Sequence, residues 1–197
     1  MENGISKPLA SVVTDSAVSQ GLRAAGVVFA GSALVAVASH VSLPLGFTPV
    51  PLTLQPFAVL LLGLVLSPQL AAATLATYLL KGAAGLPVFA PGLAFGAGLA
   101  HLLGPTGGYL LSYPAAAALV AWMWRRTARG FSAALASATL GNALILLCGF
   151  AWLATWTHSS PRTAFTLAVL PFVPGDALKV AAAAAIASGL ERVRRRQ

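Results

Sequence analysis

Charge is what this sequence has least of. Only 8% of its 197 residues are Asp, Glu, Lys or Arg, against about 25% in soluble globular domains. None occurs in residues 24–80, 82–124 or 130–161. A soluble helix needs a wet face, so runs of that length exclude a water-soluble core. Each run exceeds the roughly 20 apolar residues that span a bilayer. Apolar residues make up 58% of the chain, and the mean hydropathy is +0.85. This pattern describes a polytopic membrane protein. It excludes a soluble enzyme, a disordered tail and a nucleic-acid binder.

Acidic groups are scarcer still. Asp176 is the only one between Asp15 and Glu191, which leaves general acid–base catalysis little to work with. The single cysteine, Cys148, lies in an apolar run and reads as a packing residue. No G-x-x-x-x-G-K-[ST], G-x-S-x-G or H-E-x-x-H is present. His40, His101 and His158 lack metal-ligand spacing and read as interfacial residues near span ends. No catalytic set, metal site or cofactor is expected.

What charge there is sits at the edges. The formal net charge is +8, with Arg125, Arg126 and Arg129 together and Arg192, Arg194, Arg195 and Arg196 closing the chain. Such clusters set orientation and meet anionic membrane lipid rather than nucleic acid. The N-terminus, with Glu2, Lys7 and Asp15, does not resemble a cleavable signal peptide. Residues 1–21 read as a mobile or surface-lying cytoplasmic arm, and residues 192–197 as a basic cytoplasmic tail.

Backbone groups in hydrocarbon must bond internally, and no alternating barrel pattern is present, so the spans are helices. Proline, glycine and the few charges divide residues 22–191 into six of them. These cover 23–43, 54–66, 70–84, 107–124, 131–156 and a last span that starts near Pro174. Residues 165–173 read as a short re-entrant segment. Six spans place nine basic residues on the inner side and Arg162 alone outside, a strong positive-inside bias. Two long outer connections, 44–53 and 85–106, are rich in Pro and Gly yet uncharged. Backbone of that kind beside a membrane folds against protein or lines a cavity. The expected architecture is an all-α, six-helix membrane bundle whose outer loops 1–2 and 3–4 cap a ligand pocket.

Several polar residues stand out against this background. Asp176 and Lys179, three apart on a helix, share a face. Either Asp176 caps the helix and Lys179 neutralises it, or the pair faces a cavity and holds a ligand with donor and acceptor side by side. In GPTGGY (104–109), Thr106, the N–H groups of Gly107 and Gly108, and Tyr109 gather at a helix start that suits a carboxylate. The two glycines equally suit a tight turn or close helix packing. In PVPLTLQPF (49–57), Thr53 and Gln55 point the same way if the loop is extended. Asn142 and Tyr78 are single polar groups within spans, suited to interhelical hydrogen bonds, and Asn142 is also a candidate ligand contact. Gly26/Ala30 and Ser32/Ala36, each four apart, let another helix approach, either within the bundle or from a partner protein.

Taken in order, PVPLTLQ (49–55), GLPVFA (85–90), GPTGGYLL (104–111) and PFVPGDALK (171–179) resemble the BioY family, over about residues 22–190. The resemblance implies a six-helix S-component that captures biotin from outside and works with a transmembrane coupling protein and two ATPase subunits. Some family members act alone. By motif, Asp176 and Lys179 match the family's polar binding pair, Thr53 and Gln55 fall in the loop over the ligand, and Tyr109 lies near the pocket. The stretch 91–103 departs from the family, being longer and less Gly-rich. Biotin suits the residues: Asp176 would accept from a ureido N–H, and Lys179 would donate to the ureido oxygen or the carboxylate. A component for another vitamin, or a membrane-embedded enzyme or structural subunit, remains the alternative at this point.

Overall fold

The molecule is described by a computed structural model for residues 9–91 and 97–197, with side chains from residue 18 onward. Among these residues the elements run α1 (Leu9–His40), β1 (Ser42–Leu43), β2 (Leu52–Thr53), α2 (Gln55–Val65), α3 (Pro68–Ala83), α4 (Leu99–Leu102), α5 (Gly107–Arg125), α6 (Phe131–Thr157), α7 (Pro161–Ala168) and α8 (Val173–Arg194). Proline punctuation sets several of the starts. Pro68 and Pro161 each open a helix where a missing N–H costs nothing, behind a serine cap. Ser67 Oγ accepts from the Leu70 N–H at 3.3 Å, and Ser160 Oγ accepts from the Thr163 N–H at 3.2 Å.

The expected second to fifth spans fall on α2, α3, α5 and α6 within two residues at each end. The first does not. Helix α1 reaches back to Leu9, so residues 9–21 continue it instead of forming a separate arm. No proline interrupts that stretch, and a single glycine is too weak a signal to break a helix. Among the described residues, three helices are long and apolar enough to cross a membrane: α1 over Val18–His40, α6 and α8. Helix α2 is apolar over 11 residues only. Two features depart from the expected architecture. Strands β1 and β2 pair antiparallel, Ser42 opposite Thr53 and Leu43 opposite Leu52, and this short ladder fixes the first outer loop. The segment expected to be re-entrant is helix α7 followed by a turn into α8. Residues 92–96 of the atypical stretch lie outside the described residues.

Helix α5 sits centrally, against α2, α3 and α6, while α8 packs on α2 and α6 and α1 packs on α2 and α3. Small residues allow these contacts. A Cβ on Gly63 would lie 2.9 Å from the Ala117 carbonyl, so α2 meets α5 almost backbone to backbone. One apolar cluster, including Leu75, Tyr78, Leu110 and Ile145, packs α1, α3, α5 and α6 together. A second, with Leu60, Val120, Ala138 and Ala184, joins α2, α5, α6 and α8 further along. Because α2, α5 and α8 run the same way, their N-terminal ends gather at one end of the bundle.

Candidate functional site

A cavity with about 510 Å³ of empty space opens among those N-terminal ends. Asp176 and Lys179 come from α8, Tyr109 and Tyr113 from α5, Gln55 from the first residue of α2, and Thr53 from β2. Val50, Ile145, Leu146 and Phe172 supply apolar wall.

The ionic centre is buried. Lys179 Nζ donates to Asp176 Oδ1 at 2.8 Å, with side-chain exposures of 9% and 4%. Asn142 Nδ2, on α6, donates to Asp176 Oδ2 at 3.1 Å. Asp176 is therefore no helix cap: the cap position is Phe172, and the carboxylate is spent on Lys179 and Asn142. Its place in the first turn of α8 still suits a negative charge. Charge-assisted bonds at these lengths hold the carboxylate in one orientation. The set is not saturated. An ammonium carries three N–H donors and a carboxylate about four lone-pair sites, so both keep capacity facing the cavity. Asn142 Oδ1 is buried with no hydrogen-bond partner among the described residues. Asn142 does not line the cavity, so its place is behind Asp176, orienting it.

A second, neutral network adjoins the first. Gln55 Nε2 donates to Tyr78 Oη at 2.5 Å, and Tyr78 Oη donates to the Val88 carbonyl at 3.0 Å. Gln55 Oε1 accepts from Thr53 Oγ1 at 3.2 Å and from Tyr113 Oη at 3.4 Å. The chain is extended only as far as Thr53, and Leu54 already has helical φ and ψ, so Thr53 and Gln55 meet through the turn into α2 and not along an extended loop; Tyr78 makes an interhelical bond as expected. Tyr109 Oη donates to the Ala168 carbonyl at 2.6 Å, tying α5 to the end of α7 beside the cavity.

Two expectations are corrected here. Thr106 lines the cavity, but Gly107 and Gly108 do not. A Cβ on Gly107 would collide with the Leu102 carbonyl, and one on Gly108 with Trp152 and the Cys148 carbonyl, so these glycines serve close packing of α5 on α6. The Gly107 N–H is taken by the Gly104 carbonyl at 3.0 Å. The small-residue stripe of α1 also divides. Ser32 is fully buried and accepts from Lys81 Nζ at 2.7 Å, and Ala36 packs on the core, so both face the bundle. Gly26 and Ala30 are exposed.

Three wall residues were not anticipated. His101 is buried in the cavity wall, stacked on Phe89 at 4.8 Å between ring centres. Its signal was being the lone ionisable residue in the loop over 85–106. Tyr113 lies one helical turn beyond Tyr109, a spacing of four that keeps both on one face. Phe172 carries no polar signal and is found only in the fold.

The BioY family model matches residues 10–196 of the chain. The chain belongs to the BioY family. Among its relatives, "Probable biotin transporter BioY" of Pyrococcus horikoshii is 42% identical over 81% of this chain and 90% of its own. "Biotin transporter BioY" of Thermotoga maritima is 38% identical over 82% and 92%. A crystal structure described as the S-component for biotin from an ECF-type ABC transporter superposes with a TM-score of 0.80 at 24% identity, covering 88% of this chain and 93% of that one. At that identity the likeness speaks for the fold. BioY membership makes this chain a membrane transport component and not an enzyme, which removes the enzyme and structural-subunit alternatives.

Proposed function

We propose that the cavity captures biotin and that the chain carries it across the cytoplasmic membrane as the substrate-binding component of an energy-coupling-factor transporter. The observation that carries this reading is the buried Lys179–Asp176–Asn142 set, unsaturated on the side that faces the cavity. Biotin's ureido ring presents two N–H donors beside one carbonyl acceptor. Asp176 takes an N–H, Lys179 donates to the ureido oxygen, and Asn142 holds the carboxylate in register. Phe172, Ile145 and Leu146 cover the thioether ring and chain. Thr53 and Gln55 stand in the loop that closes over the ligand, with Tyr109 at its edge.

Six helices, α1, α2, α3, α5, α6 and α8, span the membrane in this reading, with both termini cytoplasmic and the cavity outward. The positive-inside distribution supports that orientation. A transmembrane coupling protein and two ATPase subunits supply the energy, and the exposed Gly26/Ala30 face of α1 docks the coupling protein. Ala30→Trp should then impair energised uptake and leave biotin binding intact.

The deciding experiment is a calorimetric titration of the purified chain with biotin, desthiobiotin and thiamin. Biotin should bind at one site per chain and thiamin not at all. Binding of thiamin but not biotin would overturn the ligand assignment. Unchanged biotin affinity in Asp176→Asn and Lys179→Ala would overturn the site.

A further inference from the structure

The opposite ends of the same three helices build a second cleft, with about 770 Å³ of empty space. Along α8 its residues, from Ala187 to Arg194, lie about 12–22 Å beyond Lys179, and no residue lines both sites. Arg125, Arg129 and Arg194 line it, together with the carboxylate of Glu191. Val65, Trp124 and Leu190 form its apolar side.

The charges do not balance. Glu191 Oε1 pairs with Arg129 at 3.5 Å and with Arg195 at 3.3 Å. Arg195 also donates to the Ala128 carbonyl at 2.7 Å, bracing the α5–α6 turn against the end of α8. Among the described residues Arg125 and Arg194 make no ion pair at contact distance, although Arg194 lies close enough to Glu191 to act on its charge, and Glu191 is the only carboxylate lining the cleft. The negative C-terminal ends of α5 and α8 favour arginine at their last turns. That does not account for Arg129, which lies in the turn between helices. Arg129 holds a φ of 55°, a left-handed conformation uncommon outside glycine, with its guanidinium directed to the cleft.

Guanidinium groups bind phosphate through paired N–H donors. Here they stand beside a greasy wall at the end of apolar helices. We propose that this cleft binds an anionic phospholipid, its phosphate between Arg125, Arg129 and Arg194 and an acyl chain against Val65 and Leu190. Glu191 weakens the attraction and, by holding Arg129 and Arg195, shapes the cleft. A nucleic acid or a free anion would make no use of the apolar side.

Native mass spectrometry of the delipidated chain, offered phosphatidylglycerol, phosphatidylcholine or inorganic phosphate, tests this. Phosphatidylglycerol should be retained and phosphatidylcholine shed. The double variant Arg125→Gln/Arg194→Gln should lower phosphatidylglycerol retention about 20-fold. Removing the same charge at Arg23 and Arg162 should leave it unchanged. Unaltered melting temperatures in both double variants show that the fold persists. Equal loss in the two double variants, equal retention of phosphatidylcholine, or displacement of the lipid by inorganic phosphate at matched concentration would each overturn the proposal.

Discussion

Helices α2, α5 and α8 present both of their ends, and the two ends handle charge in opposite ways. At the N-terminal ends a single acid and a single base are buried against each other, and a third side chain fixes their geometry. At the C-terminal ends arginines outnumber the one carboxylate and remain within reach of solvent. Burial makes each charge at the first end conditional on its partner, because an unpaired ion there cannot recover its hydration. Exposure makes those at the second end nearly independent of one another. One end is therefore fragile and selective, and the other tolerant and governed by summed charge.

The sharpest break of that contrast is Asp176→Ala. It strands the Lys179 ammonium in a buried wall, a loss expected at about 3–5 kcal/mol in stability. Biotin affinity should fall at least about a hundredfold, since truncating one partner of a buried charge pair costs over 2 kcal/mol. The double variant Asp176→Ala/Lys179→Ala separates the two effects. It should recover much of the melting temperature, because no ion is left unpaired, and none of the binding measured by calorimetry. Recovery of both would mean that the pair serves the fold alone.

Gly108→Leu probes how the first end is held in place. A leucine must displace Trp152 or lift α5 from α6, and overpacking of this kind costs roughly 2–3 kcal/mol. Tyr109, next in sequence, should shift with the helix, so the melting temperature and biotin affinity fall together. A drop in stability with unchanged affinity would uncouple the cavity from the α5–α6 contact.

Tyr78→Phe is a smaller intervention at the same end. It removes the hydroxyl between Gln55 Nε2 and the Val88 carbonyl; the buried Gln55 Nε2 loses its acceptor, while the carbonyl keeps its bond from Ser39 Oγ at 2.8 Å. The expected cost is about 1–2 kcal/mol in thermal or denaturant unfolding, with a modest loss of affinity as Gln55 gains freedom. Wild-type behaviour would show that water replaces the hydroxyl.

These same residues show what the sequence could disclose. Helix ends at prolines and glycines, and the Asp176–Lys179 pair, are local signals: three residues on one helix decide whether two side chains meet, whatever the rest of the fold does. Gly107 and Gly108 are the opposite case. A glycine pair before a helix reads equally as an anion cradle and as a packing notch; the Leu102 carbonyl decides for Gly107, and for Gly108 the position of α6, with Cys148 and Trp152 some 40 residues away, decides. Ser32 likewise faces inward because Lys81 stands opposite it on α3. His101 and Asn142 depend on which loop folds over which helix end. Spacing within a segment was legible, and contacts between segments were not.

The mildest test lies at the other end. Glu191→Gln removes the one carboxylate lining the arginine cleft, yet of its partners Arg195 is exposed, Arg129 is half-exposed, and both are remote from the cavity. Ion pairs at an exposed helix end are screened by salt and offset by side-chain entropy. The bond from the Arg195 guanidinium to the Ala128 carbonyl persists without the acid and keeps the α5–α6 turn braced. Melting temperature and biotin affinity should both match the unaltered chain at physiological salt, by scanning fluorimetry and calorimetry. At low salt, where arginines repel one another over a longer distance, the variant should begin to melt below it. A loss at physiological salt as large as that of Tyr78→Phe would mean that the exposed end shares the conditional character of the buried one, and the contrast between them would fail.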